Sequence, residues 1–138
     1  AGTMMLPLSS VMFCSTFQHP YYPFCGADSR GENLVNVPLP AMTGSEGFRS
    51  AVERHWLPAL ERFQPQLVMV SAGFDAHKAD PLAQMELETE DFAWAGRRLR
   101  ELALRHCKGK LVSTLEGGYD LKALARSAAA YLAALQRD

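Results

Sequence analysis

The sequence predicts an α/β fold, a parallel sheet flanked by helices. Three observations lead there. Leu67-Val68-Met69-Val70 is a continuous apolar run, the pattern of a strand covered on both faces. A second such run, Leu111 to Leu115, comes one helical segment later, and another helical segment follows it. Strand, helix, strand, helix in succession implies a right-handed crossover between parallel strands.

The elements follow in order. Val11 to Ser15 reads as a short buried strand, followed by a loop rich in Pro, Gly and aromatics from His19 to Gly31. Leu34 to Leu39 is extended and runs into Pro40. Thr43 to Ser45 offer capping groups for a helix with Val52, Trp56, Leu60 and Phe63 on one face. Pro58 inside it should kink or split it, because proline has no N–H to donate. After the first apolar strand, Thr89 can cap a helix with Phe92, Ala95, Leu99, Leu102 and His106 on its inner face. Gly109 stands just past its end, where a left-handed residue is favoured. Asp120 caps a last helix carrying Leu121, Leu124, Ala128, Leu132 and Leu135 at helical spacing.

Length and composition narrow the function classes. The 138 residues fit one domain, with no repeat and no linker. The hydrophobic fraction is 48% and the charged fraction 21%, ordinary for a globular protein. Fourteen basic residues against fifteen acidic ones leave no field for nucleic acid or an anionic membrane. No apolar stretch approaches the roughly 20 residues of a membrane span. Cys14, Cys25 and Cys107 are odd in number and unpaired in spacing, which argues against a disulfide framework or a cysteine zinc site and for a reducing, cytoplasmic setting. The apolar N-terminus Ala1 to Ser10 lacks the basic flank of a signal peptide, and its uncharged opening Ala1 to Leu8 points to truncation.

In an open parallel sheet, ligands bind beyond the carboxyl ends of the strands. The first apolar strand runs into Ser71-Ala72-Gly73-Phe74-Asp75-Ala76-His77-Lys78-Ala79-Asp80-Pro81 and the second into Glu116-Gly117-Gly118-Tyr119-Asp120. Asp75 is placed to bind a metal, act as a base, or merely close a turn. His77 and Asp80 are further candidates. Gly117-Gly118 lets backbone approach a substrate without matching a phosphate-binding loop. Tyr119 can donate to a developing oxyanion, or pack its ring with a wet hydroxyl. His106 and His55 read as structural and surface residues. His19 sits in an aromatic loop that either lines a channel or wraps the core.

These segments together resemble the histone deacetylase and acetylpolyamine amidohydrolase family, in wording nearest its bacterial members. Ser15-Thr16-Phe17-Gln18-His19-Pro20-Tyr21-Tyr22-Pro23, Val35-Asn36-Val37-Pro38-Leu39-Pro40, the helix with Leu57-Pro58-Ala59-Leu60 and Phe63-Gln64-Pro65, Val70 to His77 with Asp80-Pro81-Leu82, and Leu115-Glu116-Gly117-Gly118-Tyr119 match in order. The resemblance implies a three-layer parallel-sheet deacetylase (arginase-like) fold, of which residues 1–138 form the C-terminal portion. It implies zinc-dependent hydrolysis of an acetylated lysine or acetylated polyamine. Asp75 matches a carboxylate ligand of the catalytic zinc. Tyr119 matches the tyrosine that hydrogen-bonds the substrate carbonyl and its oxyanion. Tyr22 matches an aromatic wall of the acyl channel, Gly118 a glycine of the pocket floor, and Ser15 a residue near a structural potassium site.

The departures are equally specific. The family's Asp-x-His zinc ligands and paired histidines lie upstream of the segments matched here and are absent. Asp75-Ala76-His77 does not replace them, since its surroundings match the final Asp ligand, and Gly2-Thr3 resembles the Gly-Thr after the missing histidines. The expectation is a chain that binds zinc poorly and is inactive alone, completed by an N-terminal half or by self-association. The alternatives are a non-catalytic binding or assembly module keeping half of the fold, and an unrelated small α/β binding protein.

Overall fold

The computed structural model of the chain describes residues 10–20 and 33–136. Tyr22, Cys25, the Gly2-Thr3 pair and most of the aromatic loop lie outside the described residues. Strand β1 (Phe13–Gln18) pairs in parallel with β2 (Leu34–Leu39), with Phe13 opposite Leu34 and Gln18 opposite Leu39. β1 thus starts two residues later than the apolar pattern indicated and runs into the segment read as loop.

Helix α1 (Ser45–Ala51) passes into a π-helical turn (Val52–Trp56) and then into α2 (Leu57–Phe63). Pro58 lies in the first turn of α2. It has no N–H to return to Arg54, so the ladder loses its regular step there and the helix splits as expected. The capping expectation for Thr43 and Ser45 fails: Gly44 is the N-cap, with no side-chain cap. The two hydroxyls are used elsewhere, Thr43 Oγ1 on Pro40 O and Ser45 Oγ on Asp91.

Strand β3 (Val68–Ala72), helix α3 (Thr89–Cys107), strand β4 (Leu111–Leu115) and helix α4 (Leu121–Gln136) complete the chain, and β3 and β4 pair in parallel. Val68 packs with Leu102, Ala103 and Cys107, so α3 covers one face of this sheet. The expectation that these strands are covered on both faces is not met. Met69 is 75% exposed and Val112, opposite it in register, 55%. Among the described residues the helices pack on the other face only, so the side chains that alternate outward have nothing against them.

Both long helices bury a face rotated from the one expected. In α3, Phe92, Leu99 and Leu102 are buried as read, but Ala95 and His106 stand at the edge while Gly96, Ala103 and Cys107 are inside. In α4 the buried stripe is Ala123, Ser127, Tyr131 and Ala134, and Leu121 and Leu132 are exposed. A Cβ on Gly96 would lie 3.0 Å from Tyr131 Cδ2 and 3.4 Å from Ala134 Cβ. Small residues bring the two helix axes together, and the leucines flank the contact. Thr89 is not the cap of α3. Glu88 is, in a capping box with Asp91. The end of α3 is as read: Lys108 and Gly109 both take left-handed conformations, and Gly109 N–H donates to Ala103 O. Asp120 opens α4 as read, its Oδ1 accepting the Ala123 N–H at 2.8 Å. No described helix is long and apolar enough to cross a membrane.

Candidate functional site

The parallel pairing of β3 and β4 brings their carboxyl ends side by side, with Ala72 opposite Leu115. The loops that leave them are stitched together. Phe74 N–H donates to Gly117 O at 2.8 Å, and Glu116 N–H to Ala72 O at 3.0 Å. Asp75 and Tyr119, the two residues read as chemically active, leave from this junction.

Asp75 is half-buried, with its carboxylate laid against glycine backbone. A Cβ on Gly117 would fall 2.9 Å from Asp75 Cγ and Oδ2, and a Cβ on Gly73 would fall 3.2 Å from Oδ1. The two glycines are therefore the walls of a cradle that larger residues would fill. Burial pushes the Asp75 carboxyl up from its ordinary value. A hydrogen bond from its own backbone N–H opposes this, and the charges of Asp80 and Glu116 add to it. A carboxylate that is costly to keep charged there would be relieved by a cation. Glu116 was not singled out in the sequence; its place directly after β4 is the signal, and it accepts from Ser71 Oγ at 3.1 Å.

Tyr119 follows Gly118, whose φ of +142° is open to glycine and strained for other residues. A Cβ on Gly118 would also meet Leu124 Cδ1 at 3.0 Å. Tyr119 is 55% exposed at the mouth of the junction. Its backbone N–H donates to Asp80 Oδ2 at 2.8 Å.

His77 and Asp80 are both buried and both engaged. His77 Nδ1 accepts the Ala79 N–H at 3.1 Å, which leaves the hydrogen on Nε2 facing Thr89 Oγ1 at 3.2 Å. Its ring stacks on Phe92 at 6.4 Å. With both nitrogens used, His77 holds the loop onto α3 and has no lone pair for a metal. Asp80 Oδ1 accepts the Leu82 N–H at 2.9 Å, closing a turn.

A catalytic zinc takes three protein ligands and keeps an open position. Among the described residues no group of three His, Cys, Asp or Glu side chains could hold a metal. Asp75 fits as one donor, and the described residues do not complete the set. Ser15 lies in β1 opposite Asn36, in the other sheet. Cys14 and Cys107 are free, and burial pushes the Cys14 thiol up to about 12, so it is an inert packing group at neutral pH. His55 is exposed on the π-helical turn, and His106 binds Glu61 at 2.6 Å.

The histone deacetylase domain model matches residues 4–135. The chain belongs to the histone deacetylase family. A histone deacetylase-like amidohydrolase of Pseudomonas aeruginosa is 41% identical over 79% of this chain and 30% of its own length. A crystal structure of the HDA15 HD domain superposes with a TM-score of 0.82 at 32% identity, over 91% of this chain and 37% of that one. An acetylpolyamine aminohydrolase from Burkholderia pseudomallei gives 0.78 at 27% identity, over 92% and 38%. These likenesses establish the α/β deacetylase fold and set aside the reading as an unrelated small α/β binding protein. The chain spans about a third of the length of such curated relatives, 28%, 33% and 30% for three of them.

Proposed function

We propose that this chain forms part of a zinc-dependent deacetylase that hydrolyses the amide of an acetylated lysine or an acetylated polyamine. The observation that carries the reading is the junction of the β3 and β4 ends. It puts a half-buried carboxylate in a two-glycine cradle beside a loop presenting an exposed phenol. Asp75 would be one carboxylate ligand of the zinc, and Tyr119 would donate its hydroxyl to the oxyanion formed at the acyl carbon. Zinc, when bound, would polarise the acyl carbonyl and lower the pKa of a bound water. Gly118 would form the pocket floor, where the absence of a side chain lets the acyl group approach backbone. Tyr22 would wall the acyl channel, and Ser15 would stand near a structural potassium.

The remaining zinc donors and the proton-transferring histidines would come from outside the described residues, in an N-terminal half or a second copy. The 138 residues alone would then hold zinc weakly and not turn over. A cytoplasmic location belongs to the same proposal. Tyr119→Phe tests the central role in the active enzyme. The expected result is a kcat lower by about 10²–10³, the usual loss for one oxyanion donor, with stability unchanged. Wild-type kcat would remove Tyr119 from the mechanism.

A further inference from the structure

We propose that Asp80 is a positioning residue that fixes Tyr119 relative to Asp75, an inference that rests on the deacetylase reading above. The loop after β4 is short and turns at Gly118, between the end of the strand and the Asp120 cap of α4. The contacts on the residues either side of Gly118 both come from the loop after β3. Phe74 N–H holds Gly117 O, and Asp80 Oδ2 takes the Tyr119 N–H. The two contacts bracket the glycine kink.

Asp80 is suited to this. It is 6% exposed, so water does not compete for its oxygens. Its other oxygen accepts the Leu82 N–H at 2.9 Å and, more weakly, the Ala83 N–H at 3.4 Å. Its own N–H donates to His77 O, and His77 is locked between Ala79 and Thr89. The carboxylate is therefore anchored on the Asp75 side and reaches 39 residues along the chain to the Tyr119 side. A charged acceptor makes a stronger bond to a backbone N–H than a neutral one. Asp80 thus acts as the buckle between a carboxylate that would hold metal and a phenol that would hold the oxyanion, and their spacing depends on it.

The test uses the active enzyme at its full native length, with Asp80→Asn, Asp80→Ala, Tyr119→Phe and the Asp80→Asn/Tyr119→Phe double variant. Asparagine keeps the volume but only one acceptor oxygen. With the Leu82 and Ala83 N–H groups both on Oδ1, the amide nitrogen is expected to face the Tyr119 N–H, and Asp80→Asn is expected to fold even if Asp80→Ala does not. Asp80→Asn is expected to lower kcat by about ten- to a hundred-fold, the scale of a small misplacement, with KM within about twofold. On the Tyr119→Phe background the same change is expected to cost less than about twofold, because residues acting through one contact are not additive. Hydrogen exchange at the Tyr119 amide should speed up in Asp80→Asn. Unchanged kcat, a full multiplicative loss on the Tyr119→Phe background, or unchanged amide exchange would each overturn the inference while leaving the role of Tyr119 standing. A fully active Tyr119→Phe enzyme would instead remove the reading on which the inference rests.

Discussion

Gly117 has the most direct consequence of any single residue here. A methyl group at this position has no room, since it would lie 2.9 Å from the carboxylate carbon and Oδ2 of Asp75. Either the carboxylate or the loop must move. Gly117→Ala is therefore expected to lower activity of the complete enzyme by about 10²-fold, the scale of a reacting group displaced by an ångström. The melting temperature should change little, because the loop lies at the edge of the core. The meeting of Asp75 and Tyr119 at the strand ends was legible in the sequence, because residues just past apolar strand runs fall at the crevice of a parallel sheet. The duties of His77 and Asp80 were not legible. Each appears as a free titratable group until the fold sets Thr89 against one and the Tyr119 N–H against the other. Contacts over such separations carry no sequence period.

Helices and strands set the frame in which those residues stand. Asp91, fully buried in the first turn of α3, ties that helix to α1. It accepts from Ser45 Oγ, from Arg49 Nε at 2.8 Å and from the Glu88 N–H at 2.9 Å. Asp91→Ala removes a cap and leaves Arg49 without its carboxylate. The expected loss is about 3 kcal/mol in a denaturant melt, toward the low end for buried pairs because Arg49 can take up water. Gly96→Ala separates two opposing effects. Helix propensity favours alanine by about 1 kcal/mol. The new methyl would meet the Tyr131 ring at 3.0 Å, and that ring is held by Ser113 Oγ at 2.6 Å and by Phe74 edge-on. Because the ring cannot give, crowding wins, and a net destabilisation of about 1 kcal/mol is expected. At the far end of α3, Glu61 on α2 binds His106 and Arg105. His106 first, then Arg105, draws its carboxyl below the ordinary value. A depressed pKa gives stability that is present at neutral pH and lost as pH falls through the folded carboxyl's titration. Wild type should therefore exceed Glu61→Gln by less than about 1 kcal/mol at pH 7, with no difference in strong acid and a smaller one in high salt. The order and type of these elements were legible from apolar runs and from proline and glycine, but the buried faces of α3 and α4 were not. Hydrophobic periodicity assigns the inside to the largest apolar residues, whereas here Gly96, Ala123, Ser127 and Ala134 let the helices approach and leave Leu121 and Leu132 outside.

Across the whole molecule, the two parallel pairs and their covering helices follow the deacetylase fold over 91% of the chain. The exposed Met69 and Val112 show that the sheet face away from α3 is uncovered among the described residues, a departure that a continuous apolar run could not announce. The central claim is that this chain contributes Asp75 to a zinc site whose other donors lie outside the described residues. The zinc content of the purified 138-residue chain, after dialysis against trace-metal-free buffer, tests it most directly. The account predicts zinc far below one equivalent, and no further drop in Asp75→Ala. Close to one zinc per chain would contradict it, since a single carboxylate does not hold a catalytic zinc against dialysis.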